Sequence, residues 1–147
     1  MTMTTNRLSL VAAIAGFSAC SLFLTGCGDT KAVAVDPTAK LARGQYLVQN
    51  VGMCADCHTP RGPGGVFDQS RWLQGSVLGF APTVPMPAWA EAAPPIAGLP
   101  NYTDEQALAF LTTGKTISGQ PLRPPMPPYR FSPEDAEAVL AYLRSLK

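Results

Sequence analysis

The sequence predicts an all-α fold, with about three main helices joined by loops rich in proline and glycine. Three observations lead there. Segments opening near Asp36, Thr103 and Ser132 each begin with a helix-capping residue and continue with apolar residues at helical spacing. Residues 61–100 hold seven prolines (Pro63, Pro82, Pro85, Pro87, Pro94, Pro95, Pro100) and six glycines, without apolar periodicity. Between these regions stands Cys54-Ala55-Asp56-Cys57-His58, a C-x-x-C-H motif in a chain with no βαβ pattern.

The elements follow in order. Asp36 suits a cap and Pro37 the first helical position, so the first helix is expected from Pro37 to about Gln49. Leu41, Tyr46, Leu47 and Val48 supply its apolar contacts. Gly44 in its interior costs stability relative to alanine, and close approach of another helix would explain it. Thr103-Asp104-Glu105-Gln106 has the form of a capping box, with Ala107, Leu108, Phe110 and Leu111 following and Gly114 as a stop. Ser132-Pro133 opens the last helix. Ala136, Val139, Leu140, Tyr142, Leu143 and Leu146 form its apolar set. Glu134, Asp135 and Glu137 near its start and Arg144 and Lys147 near its end suit the helix dipole.

C-x-x-C-H is the attachment signature of c-type haem. Two thiols, Cys54 and Cys57, add across the two vinyl groups, one thioether each. Two intervening residues set their separation, and His58 then supplies an imidazole nitrogen to the iron. Competing readings are weaker. A thioredoxin-like pair requires a βαβ context, a zinc site requires about four ligands, and a Cys54–Cys57 disulfide closes a very small, strained loop.

Export agrees with this reading. Arg7 begins a short positive region, Leu8 to Leu24 is apolar, and Leu24-Thr25-Gly26-Cys27 resembles a bacterial lipoprotein box. The expectation is a signal peptide over residues 1–26, a lipidated Cys27 with a tether over 27–36, and one domain over 37–147. The protein is expected in the bacterial periplasmic space, lipid-anchored to a membrane. Cys20 then leaves with the signal, Cys27 carries lipid, and Cys54 and Cys57 hold haem, so no cysteine remains for a structural disulfide.

Without Arg7, ten basic residues balance ten acidic ones. No basic excess exists for nucleic acid. A long segment without periodicity normally counts against a compact domain. A haem resolves this by acting as an apolar core that irregular loops wrap.

The order of helix, C-x-x-C-H, Pro/Gly-rich loops, helix, Met-bearing proline loop and amphipathic terminal helix resembles a class I monohaem cytochrome c over about residues 38–147. The resemblance implies that the first and last helices cross at a Gly/aromatic contact, for which Gly44 with Tyr46 or Leu47 against Val139 and Tyr142 are the matching positions. Cys54 to Pro60 and Met126-Pro127-Pro128-Tyr129 followed by Ser132 to Asp135 also resemble cytochromes associated with bacterial dehydrogenases.

His58 is the single histidine of the chain, which leaves a methionine thioether as the sixth ligand. Met53 adjoins Cys54 and does not easily reach the far face. Met126, in Pro124-Pro125-Met126-Pro127-Pro128, matches the family's axial position, and Met86, in Pro85-Met86-Pro87, is the alternative. For His58 Nδ1, the carbonyl of Pro60 or Pro63 is a candidate acceptor. Trp72, Trp89, Tyr102, Tyr129 and Arg123 are candidates either for haem contact or for ordinary packing. Arg61 and Lys115 read as solvated surface.

The function expected is single-electron transfer between a redox protein donor and acceptor, with a dehydrogenase or terminal oxidase as the candidate partner and no small-molecule substrate. The alternatives are a haem c subunit of a dehydrogenase or oxidase complex, and a gas-sensing or peroxidatic haem protein with an open sixth position.

Overall fold

The computed structural model describes residues 36–146. Helix α1, Pro37–Tyr46, is capped by the Asp36 carboxylate, which accepts from Thr38 N at 3.0 Å. The helical path then widens into one π turn, Leu47–Val51, in which Gly52 N donates to Leu47 O at 2.7 Å. The sequence predicted one uniform helix to about Gln49. The π turn shifts the register just before the cysteine motif, as such turns often do beside functional sites. A four-residue helix α2, Ala55–His58, carries the motif itself.

The proline-rich region is ordered by short elements that no periodicity announced. Two 3₁₀ turns, Pro63–Gly65 and Gln69–Arg71, lead to β1, Ser76–Val77, which pairs antiparallel with β2, Ala92–Ala93. Leu73 and Leu99, both with positive φ, are fully buried, and the Thr59 hydroxyl accepts Leu73 N at 2.9 Å. These irregular segments therefore contribute side chains to the protein core as well as walls to a cavity.

Helix α3, Asp104–Thr113, begins with both halves of the capping box, Gln106 N to Thr103 Oγ1 at 3.2 Å and Thr103 N to Gln106 Oε1 at 3.0 Å. It ends at left-handed Gly114. Helix α4, Pro133–Ser145, has Ser132 as its cap and buries Ala136, Ala138, Val139, Leu140, Tyr142 and Leu143.

α1 and α4 cross at Gly44. A Cβ there would fall 1.9 Å from the carbonyl oxygen of Ala138 and 2.8 Å from Tyr142 Cβ. The contact is thus made on Ala138 and Tyr142; Val139 turns into the core, and Tyr46 is 52% exposed. Leu41 is exposed too, so Leu47 and Val48 carry the burial expected of that segment. Ion pairs flank the crossing, Lys40 to Glu137 at 2.7 Å and Arg43 to both oxygens of Asp135 at 2.8 and 3.0 Å. At the other end of α4, Arg144 bonds Asp104 and the carbonyls of Gly98, Leu99 and Tyr102.

Candidate haem-attachment site

The π turn and α2 place the cysteine motif against a cavity of about 820 Å³, a size that suits a small-molecule or cofactor site of about 300–1,000 Å³. Its wall is mainly apolar: Leu47, Val48, Ile96, Phe110, Leu111 and Leu143 face into it. Cys54, Cys57, His58 and Met126 all line the same cavity.

The short α2 fixes the motif. Its N–H bonds run from His58 to Cys54 O at 2.9 Å and from Thr59 to Ala55 O at 3.0 Å. His58 is buried, and its Nδ1 lies 2.7 Å from the carbonyl oxygen of Pro94. That carbonyl accepts only from a protonated Nδ1, so Nε2 keeps its electron pair. Burial pulls the imidazole below the usual histidine range, with the Pro94 carbonyl acting in the opposite sense. The acceptor is therefore neither Pro60 nor Pro63. It comes from 36 residues along the chain, just after β2, and no local pattern marks it.

Both cysteines are free thiols. Burial pushes Cys54 up to about 11 and raises Cys57 as well. Half-buried thiols beside an apolar cavity suit covalent attachment to an apolar group. Among the described residues no cluster of three or more His, Cys, Asp or Glu side chains could hold a metal ion by itself.

The two candidate methionines separate. Met126 is half-buried on the cavity wall, whereas Met86 is 40% exposed and faces a different hollow lined by Val77, Phe80, Pro82 and Trp89. Met53 touches the cavity from the attachment loop and is 57% exposed. Among the other candidates, Tyr102, Arg123 and Tyr129 line the cavity. Trp72 packs edge-on against Phe67, and Trp89 against Phe80. Lys115 is exposed. Arg61 is exposed, as expected, and also lays its guanidinium over the Phe67 ring at 4.3 Å.

Arg123 and Tyr129 are already committed. The Arg123 guanidinium donates to the carbonyls of Ala88 and Trp89. The Tyr129 hydroxyl donates to Gly52 O at 2.5 Å, and burial pushes its pKa up to about 12.

The family model for cytochrome c matches residues 41–147. The chain belongs to the cytochrome c family. Membership implies covalently bound haem c, and Cys54 and Cys57 with His58 are the residues here that fit its attachment. The cytochrome is 31% identical over 111 residues to the fructose dehydrogenase cytochrome subunit of Gluconobacter japonicus, covering 71% of this chain and 21% of that one. It is 28% identical over 125 residues to the cytochrome c subunit of the quinone alcohol dehydrogenase of Gluconacetobacter polyoxogenes, covering 80% of this chain and 26% of that one. A diheme cytochrome c-type protein of Cereibacter sphaeroides is 46% identical over 48 residues, 33% of this chain and 16% of its own. The chain thus matches about a quarter or less of the length of these relatives.

Cys27 and the boundaries set at residues 26 and 36 fall on or at the edge of the part outside the described residues. Among the described residues no helix is long and apolar enough to cross a membrane.

Proposed function

We propose that this cytochrome is a single-electron carrier of the bacterial envelope. It uses one haem c attached through Cys54 and Cys57, with His58 and Met126 as axial ligands, and lipid on Cys27 anchors it to a membrane facing the periplasm. The observation that carries the reading is the convergence of both thiols, the His58 imidazole and the Met126 thioether on one apolar cavity, with Met86 elsewhere.

When bound, haem supplies a one-electron iron couple, and a His/Met ligand pair raises its potential. The chain's own residues do the rest. Pro94 holds the His58 tautomer that offers Nε2. Leu47, Val48, Ile96, Leu111 and Leu143 keep water from the cavity. The prolines flanking Met126 restrict the loop before any ligand bond forms.

An enzyme with an open sixth position needs a distal acid, base or hydrogen-bond donor. Arg123 and Tyr129 were the residues available for that role; Tyr129 gives its one hydroxyl proton to Gly52 O, and Arg123 is tied through Nε and Nη2 to the carbonyls of Ala88 and Trp89. No second histidine exists.

The donor we favour is a membrane dehydrogenase, because relatives named as cytochrome subunits of fructose and alcohol dehydrogenases align over 71–80% of this chain. A permanent subunit and a free carrier use the same chemistry. Copurification with a dehydrogenase in mild detergent separates them.

The ferric absorption spectrum tests the ligand set. The parent and Met86→Ala should be low-spin with the weak sulfur-to-iron charge-transfer band, and Met126→Ala should lose it. Loss in Met86→Ala alone would assign the ligand to Met86. Loss in neither variant would exclude both. For the anchor, Cys27→Ser should move the holoprotein from the membrane fraction to the soluble one. Retention on the membrane would remove lipidation from the reading.

A further inference from the structure

The Met126 loop has little means of holding itself. Residues 124–128 are Pro-Pro-Met-Pro-Pro, so Met126 alone has a backbone N–H, and it is spent inside the loop on Arg123 O at 3.1 Å. Proline fixes the local shape of such a segment but not its place relative to the cavity. That place is set by bonds at the two ends.

Upstream, the Arg123 guanidinium donates to Trp89 O at 2.7 Å and Ala88 O at 3.2 Å, and Ala90 N donates to Pro124 O at 2.7 Å. This end is fastened to the long loop between β1 and β2. Downstream, the Tyr129 hydroxyl donates to Gly52 O, two residues before Cys54. Gly52 is itself held by its N–H to Leu47 O, and Cys54 N donates to Val48 O at 3.0 Å. The Tyr129 ring stacks on Phe131 with centroids 5.1 Å apart and planes 12° apart. A side chain on residue 52 would crowd this contact, since its Cβ would lie 3.3 Å from the Tyr129 hydroxyl and 3.2 Å from Cys54 Sγ.

We propose that Tyr129 and Arg123 are positioning residues that hold the Met126 loop across the cavity from opposite ends, one tied to the attachment loop and the other to the loop between the strands. They act through Met126, so the inference rests on Met126 being the sixth ligand. Both sets of bonds are present when the loop lies over the cavity and broken when it swings away. Removing either should therefore make the methionine easier to displace, while leaving it bound when nothing competes.

The test is an imidazole titration of the ferric holoprotein, following the sulfur-to-iron band, on the parent, Tyr129→Phe, Arg123→Gln, Met126→Ala and Ser132→Ala. The last removes the α4 cap bond from Asp135 N to Ser132 Oγ, which belongs to neither tether, and measures general loosening. Thermal midpoints are recorded for all five proteins. We expect Tyr129→Phe and Arg123→Gln to keep the band without imidazole but lose it at lower imidazole, about two- to tenfold lower for Tyr129→Phe, the range a lost neutral hydrogen bond gives, and at least as much for the charge-assisted bonds of Arg123. Ser132→Ala should lower the thermal midpoint and leave the imidazole affinity where it was.

Unchanged imidazole affinity in both loop variants would overturn the proposal, whatever their midpoints. So would an equal shift in Ser132→Ala. A band retained in Met126→Ala would instead sink the ligand assignment, and the positioning role with it. Should Tyr129→Phe fail to load haem, Arg123→Gln decides alone.

Discussion

Two residues show how far a single position can decide the fold. Replacing Gly44 by alanine in an isolated helix would stabilise it by about 1 kcal/mol. Here the added methyl group would fall 1.9 Å from the backbone oxygen of Ala138, and backbone cannot move aside cheaply. Overpacking of this kind costs about 1–3 kcal/mol or more, so packing outweighs propensity. Gly44→Ala should lower the stability of the holoprotein, read as a fall in the denaturant midpoint. An unchanged or higher midpoint would mean that α1 and α4 do not meet here. The need for a small residue at 44 was legible from its position inside an amphipathic segment, but the partner was not, because which residue of α4 faces it depends on the crossing angle. The Pro94 acceptor for His58 was illegible for a related reason: it lies 36 positions further along, and the segment between holds no periodic pattern from which their approach could be built.

At the scale of elements, the caps were the readable part. Asp36, Thr103 and Ser132 act where composition placed them, because a cap is a bond between residues two or three apart. The π turn and the two-residue strands depend on tertiary contacts and left no local trace. The pairing of α1 with α4 also has an electrostatic side. The hydrogen bond from Arg43 holds the Asp135 carboxyl below the ordinary range. A depressed folded pKa adds stability that is complete above the unfolded value, near 3.9 for aspartate, and is lost as pH falls through the folded one. The gap in thermal midpoint between the parent and Asp135→Asn should therefore be constant above about pH 5 and close below about pH 4. It should also narrow with added salt, as both partners of the pair remain partly open to solvent. A gap that persists unchanged to pH 2 would show that the asparagine acts through packing.

For the whole molecule, the cavity removes a large part of the apolar interior from protein–protein contact. Leu47, Val48, Ile96, Leu111, Val139 and Leu143 belong both to the core cluster and to the cavity wall. A polypeptide that lacks its prosthetic group must leave these side chains wet or collapse around them. We expect the Cys54→Ser/Cys57→Ser/His58→Ala protein to melt without a sharp transition and to bind a hydrophobic dye, with helical signal partly retained. A cooperative melt at the holoprotein's temperature would show that the protein core suffices. The all-α architecture was legible from caps and periodicity. The buried Leu73 and Leu99, in the region that looked like wrapping alone, were not, because an isolated leucine among prolines carries no sign of its burial.

The pairing of α1 with α4 joins the two ends of the domain, residues 37–46 and 133–145. Val139 and Leu143 of α4 line the cavity. In chain order the two thiols thus precede the α4 part of the wall by about 80 residues. Until α4 docks on α1, the attachment motif therefore lacks the part of its apolar wall that Val139 and Leu143 supply.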